Sequence, residues 1–170
     1  RLIILGAGVY GRTVADVALN RFLQMREKEG EKLQEDILSR AAAILEAVGQ
    51  VEERSPQTVR EHMDKVQARM RELLGTATVD EQRLLTEAAL FADKIAVAEE
   101  TVRLRSHISQ LEHMLAGNEA VGRKLDFLVQ EINREANTIG SKAQDVQLAR
   151  VVVDIKAEIE KIREQIQNIE

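Results

Sequence analysis

The chain has 170 residues, with 24 Lys and Arg against 29 Asp and Glu, no Cys and no Trp. Its net charge of −5 excludes a globally basic nucleic-acid module, so binding to a polyanion would need a local patch. Aromatic residues at 2% exclude an extended base-stacking platform, and the absence of cysteine excludes disulfides, thiolate metal sites and Cys nucleophiles.

No apolar run reaches the length of a membrane span and no secretory signal is read, so a cytoplasmic location without membrane contact is expected. The chain starts at Arg1 without a methionine, as a fragment would. Leu2, Ile3, Ile4 and Leu5 predict a short buried strand, followed by GAGVYG, with Gly6, Gly8 and Gly11 at the spacing of a dinucleotide fingerprint. Residues 1–18 resemble the opening β-α unit of Rossmann-like nucleotide-binding domains. The fingerprint also needs a second parallel strand ending in an acidic residue. Here Glu27 and Glu29 fall in a continuing helical pattern instead. Residues 1–18 are therefore read as an orphan β-α stub, a fusion or truncation remnant in which nucleotide binding is not expected.

Residues 19–170 predict helices only. Leu33, Ile37, Ala41, Ile44, Val48 and Val51 alternate steps of four and three, a coiled-coil seam. Ser55 and Pro56 suit an N-cap and first helical position. They divide this seam from a second one at Val59, Met63, Val66, Met70 and Leu73, which predicts an antiparallel helical hairpin. A third helix, capped by Asp80, carries Leu84, Ala88, Phe91, Ile95 and Val102 on through Leu104, Ile108, Leu111 and Leu115, to close at Gly117 and Asn118. A fourth runs from Gly122 to about Gly140, and Ser141 is a candidate cap for the last. Leu148, Val152, Ile155, Ile159, Ile162, Ile166 and Ile169 form the most regular heptad. The expected fold is all-α: a long hairpin or coiled-coil arm plus a helical bundle.

At about 100° per residue, the fourth helix sorts Leu125, Leu128, Val129, Ile132, Ala136 and Ile139 onto one stripe and Arg123, Asp126, Gln130, Asn133, Arg134, Asn137 and Ser141 opposite. A plain solvated face would be mostly Lys and Glu. Asn, Asp and Ser weaken a helix, and beside arginine they offer directed hydrogen bonds to an anionic partner. The other reading is a polar seam buried against another helix. Glu131 and Glu135, four apart, could hold a divalent cation or make ordinary surface ion pairs. Phe127, at the edge of the polar face, could stack on a base or be buried in a subunit contact. On the third helix Glu100, Arg103 and His107 lie within about 60° of one another, a set able to exchange protons near neutral pH or simply to be salt-bridged.

ETVRLRSHISQLEHML, VGRKLDFLVQEINREANTIGSKAQD and VVDIKAEIEKIREQIQNIE closely resemble the C-terminal region of the YicC-like family, and the likeness covers residues 19–170. The resemblance implies a bacterial endoribonuclease that needs a divalent metal, Mg or Mn, and assembles as a homo-hexamer around RNA. Carried over by motif, it implies RNA contacts at Arg103, Arg105, Arg123, Lys124, Gln130, Arg134, Asn137 and Lys142. Glu100, His107, Glu131 and Glu135 become catalytic candidates, and Asp126, Glu131 and Glu135 metal ligands. Family members carry a further N-terminal domain, in whose place this chain has the stub. The alternative expectation is therefore a non-catalytic helical module for oligomerisation or RNA binding.

Overall fold

The computed structural model describes residues 9–74, 81–117 and 122–167. Five helices follow in order: α1 (Val9–Leu74), α2 (Glu81–Lys94), α3 (Ala98–Leu115), α4 (Gly122–Lys142) and α5 (Val146–Gln167). There is no strand among the described residues, so the all-α class holds. The strand expected at Leu2 to Leu5, most of the glycine motif, the caps at Asp80 and Asn118, and Ile169 lie outside the described residues.

The chain divides into residues 1–37 and 38–170. In the first unit α1 exposes Val14, Val17, Leu19, Phe22, Leu23 and Met25, each about half exposed or more. Glu27 and Glu29 lie in helix, as the pattern predicts.

In the second unit, four helices form an up-and-down bundle. Contacts pair α4 with both α3 and α5. Glu100 meets Lys142 and Arg103 meets Glu135, so α3 and α4 are antiparallel. Arg40 pairs with Glu158 and Arg54 with Asp145, so α1 runs antiparallel to α5. Glu52 with Arg105 ties α1 to α3 on its other side. The core is built from the four predicted stripes, except that Val102, expected on the third, is 65% exposed. Ala41, Ile44, Val48 and Val51 come from α1, and Leu104, Ile108 and Leu111 from α3. Leu125, Leu128, Val129, Ile132, Ala136 and Ile139 come from α4, and Leu148, Val152, Ile155, Ile159, Ile162 and Ile166 from α5; all are buried. Each fully buried Ile or Leu contributes about 1.5–3 kcal/mol of transfer free energy, which is why these stripes fix the arrangement.

Three local expectations are corrected. First, Ser55 and Pro56 do not turn the chain: Pro56 lies inside α1. The proline ring removes one helical hydrogen bond and crowds the preceding turn. Arg54 offsets this by reaching across the proline to Glu61 (2.9 Å through Nη2) while also holding Asp145, just before α5 (2.9 Å). Thr58 Oγ1 donates to the Arg54 carbonyl at 3.2 Å. The second seam, Val59, Met63, Val66 and Met70, is only half-buried. His62 stacks on Phe91 of α2, with ring centroids 3.6 Å apart.

Second, the predicted third helix is two helices, broken at 95–97. Ile95 and Val97 are both buried, yet on one helix they would point about 200° apart; the break lets both face inward. Third, Ser141 belongs to α4 and donates to the Thr138 carbonyl at 2.8 Å. Asp145 caps α5, its Oδ1 accepting from the backbone N–H of Gln147 and of Leu148, each at 3.0 Å. Gly140 faces α5 closely, a Cβ there meeting Val152 Cγ1 at 3.0 Å.

Candidate functional site

The polar residues sort into three places. A partly buried ion cluster joins the start of α3 to the end of α4. Arg103 Nε donates to Glu135 Oε1 at 2.9 Å and Nη2 reaches Glu100 Oε1 at 3.4 Å, while Nη1 pairs with Glu99. Lys142 Nζ donates to Glu100 Oε1 at 2.9 Å and to the Ala96 carbonyl, exposed by the α2–α3 break, at 2.8 Å. Glu100 and Glu135 are 4% and 6% exposed. Burial pushes the Glu100 carboxyl up, but its hydrogen bonds from Lys142 and from its own backbone, with the charges of Lys142 and Arg103, outweigh that and hold it below its ordinary value. The hydrogen bond to Glu135 raises Arg103 above the usual guanidinium value. Glu100 is thus an ionised, paired carboxylate, a poor state for a proton shuttle, and Glu135 is tied to Arg103.

The second place is the outer face of α4. Gln130, Asn133, Arg134, Asn137, Thr138 and Ser141 line an open, shallow groove of about 500 Å³. Gln130, Arg134, Asn137 and Ser141 are exposed, so this is not a polar seam buried in the bundle. Side chains are pre-ordered along the helix: Gln130 Nε2 donates to Asp126 Oδ2 at 2.9 Å and Asn137 Nδ2 to Asn133 Oδ1 at 3.2 Å. Arg134, 75% exposed, lies 3.7 Å from Glu131.

The third place is a pocket of about 420 Å³ between α3 and α4, lined by His107, Gln110, Met114, Arg123, Lys124, Phe127 and Leu128. His107 Nδ1 is buried without a hydrogen-bond partner, and Phe127 is 63% exposed.

Residues 51–170 match the family described as "Endoribonuclease YicC-like, C-terminal". The chain belongs to this YicC-like family. It is 46% identical over 154 residues to the "Probable endoribonuclease YicC" of Clostridioides difficile, covering 90% of this chain and 53% of that protein. It is 38% identical over 158 residues to the protein of the same name from Haemophilus influenzae, covering 93% and 54%. The chain therefore spans about half the length of the curated relatives it matches.

Against the YicC-like expectations, the structure separates the carried-over residues. Glu100, Glu135, Arg103 and Lys142 come together, but as a partly buried cluster of ion pairs. Arg105 makes a two-pronged contact with Glu52, at 2.8 and 3.1 Å, which bridges α3 to α1. Arg123, Gln130, Arg134 and Asn137 lie on the exposed side of α4. His107 is apart from the ion cluster, although the register that pairs 103 with 135 sets it level with Glu131. Asp126, Glu131 and Glu135 do not converge: Glu135 is held by Arg103, and Asp126 projects about 180° from it around the helix. Among the described residues no group of three or more His, Asp or Glu is placed to hold a metal ion. As arranged in this chain, the expected ligands do not fit a divalent cation. No helix among the described residues is long and apolar enough to cross a membrane.

The sequence pattern gave no sign of the Arg54–Asp145 clasp or of Gln110 and Met114 in the pocket. Asp145, three residues before the Leu148 that opens the heptad, was a legible cap signal. The others depend on which helices become neighbours.

Proposed function

We propose that this chain is the RNA-gripping helical half of an endoribonuclease, with α4 presenting the gripping face. The observation that carries this reading is the exposed row Gln130, Arg134, Asn137 and Ser141, whose amides, hydroxyl and guanidinium stand on a helix pinned to α3 and α5. Such groups hydrogen-bond phosphate and ribose oxygens, and the helix holds them in a fixed register. Family membership supports RNA as the partner, since the relatives are named as probable endoribonucleases.

Fluorescence anisotropy with an end-labelled structured RNA tests the reading. Arg134→Ala/Asn137→Ala is expected to weaken binding about tenfold, because it removes one charged and one amide hydrogen-bonding group, with an unchanged circular dichroism spectrum. Equal affinity for the variant would remove α4 from the interface.

Turnover is read in the same samples with Mg²⁺ or Mn²⁺ and with EDTA. His107 and Glu131 are the two catalytic candidates outside the ion cluster. Cleavage that leaves a cyclic phosphate and survives EDTA would assign His107 the proton of the attacking ribose 2′-hydroxyl. Cleavage lost in EDTA supports the metal requirement that the family resemblance implies. Binding without cleavage supports the non-catalytic reading of this half. Assembly into a homo-oligomer is part of the same proposal, and sedimentation velocity measures it.

A further inference from the structure

We infer that the pocket between α3 and α4 receives a single unstacked nucleobase of the bound RNA. The inference rests on the RNA reading above and adds a specific subsite to it.

The walls suit a flat, polarizable group. Phe127 on α4 and His107 on α3 supply aromatic surfaces, and Met114 and Leu128 supply soft apolar contact beside them. A volume of about 420 Å³ lies within the range of about 300–1,000 Å³ for small-ligand pockets. The polar groups are at the right places for a nucleotide. Gln110 brings a side-chain amide able to meet a base edge, and Arg123 and Lys124 bring positive charge to the same rim, where the nucleotide's phosphate would lie. Phe127 is otherwise anomalous. It leaves 63% of its surface in water on a helix whose other large apolar residues are all buried. Around that helix it lies within about 40° of Arg123 and about 20° of Arg134, so it is in line with the gripping face. Phe91, by contrast, is already covered by His62. One exposed phenylalanine among the described residues of this unit accommodates one base, consistent with a chain too poor in aromatics for a stacking platform.

The test uses the 170-residue chain and a hairpin RNA carrying one unpaired 2-aminopurine, whose fluorescence falls on stacking. The wild-type protein is expected to quench this probe at least about twofold on binding, and to leave a 2-aminopurine placed within the duplex stem unchanged. Phe127→Ala should abolish the quenching and weaken binding of the bulged RNA on the order of tenfold, while affinity for a fully paired RNA stays within about twofold. Arg134→Ala should weaken both RNAs alike and keep the quenching at saturation. RNA bound with no change in fluorescence, or with quenching kept in Phe127→Ala, overturns the pocket alone. Absence of any RNA binding overturns the RNA reading as well. Dissociation of an oligomer by Phe127→Ala, seen by sedimentation velocity without RNA, would show the ring covered by a second copy of the chain and overturn the proposal.

Discussion

Lys142 and Arg134 are both cations on α4, and their surroundings give them opposite consequences. Lys142 is the closest partner of Glu100, a carboxylate 4% exposed. Removing one member of a buried pair leaves an uncompensated charge. Lys142→Met is expected to destabilise the fold by about 2 kcal/mol, below the usual range of about 3–5 because Arg103 still faces Glu100 at 3.4 Å. Urea denaturation at neutral pH measures it. Arg134→Ala removes an ion pair of 3.7 Å at a site 75% exposed, and should change stability by less than about 0.5 kcal/mol. The two variants separate a structural cation from a ligand-facing one, a distinction that the motif itself does not draw. Sequence spacing brought Glu100 and Arg103 to one face of a helix. It gave no sign that Glu135 and Lys142 would close over them, because that depends on the antiparallel register of α3 and α4.

The helices were legible from their apolar periodicity, and their ends and breaks less so. Pro56 shows the reason. Ser-Pro is a good helix start by local chemistry, yet α1 passes through it because Arg54 and Thr58 bind across the interruption and the helix on both sides packs on others. Pro56→Ala is expected to raise stability by about 1–3 kcal/mol, since it restores a helical hydrogen bond; a proline at a true first helical position would give little change. Thermal unfolding distinguishes the two. Glycines inside helices divide in the same way. Gly30 has nothing within 4 Å of an added Cβ, so Gly30→Ala should stabilise α1 by about 0.5–1 kcal/mol. Gly140 faces Val152 at 3.0 Å, and valine in a helix is nearly confined to one rotamer. The clash is therefore expected to outweigh the gain in propensity, with Gly140→Ala destabilising by about 1 kcal/mol.

Several inter-helix clasps share one electrostatic sign. Arg105 holds Glu52 below its ordinary carboxyl value, Arg54 does so for Asp145, and Lys161 with Arg40 does so for Glu158; Glu100 is also lowered. A carboxyl with a depressed folded-state pKa stabilises the fold fully above its unfolded value, near about 4, and loses that contribution as pH falls through the folded value. Stability should thus be nearly flat from about pH 7 to about pH 5 and decline below about pH 4, with a smaller decline for Asp145→Asn; urea midpoints across this range provide the measurement. Salt gives a second whole-chain expectation. With a net charge of −5, RNA binding draws on a few local cations, and the slope of log K against log salt should be shallow, roughly −2 to −3 for about three phosphate contacts.

The helical class, the core stripes of all four bundle helices and the family were already written in the order of the residues, because apolar periodicity and a long motif are properties of the chain read along its length. So was the polar face of α4, whose residue types are unusual for a solvated helix. Which polar residues remain outside was settled by packing alone. Arg103, Arg105 and Lys142 look like ligand-binding cations until α1 brings Glu52 to Arg105 and the packing of α3 on α4 sets Glu135 against Arg103 and Glu100 against Lys142, and pairing at about 3 Å is set by neighbouring elements rather than by spacing along one helix. The same packing closes the ion cluster and leaves Phe127 exposed beside His107, because a helix of fixed register can turn its apolar stripe inward only by turning the opposite residues out.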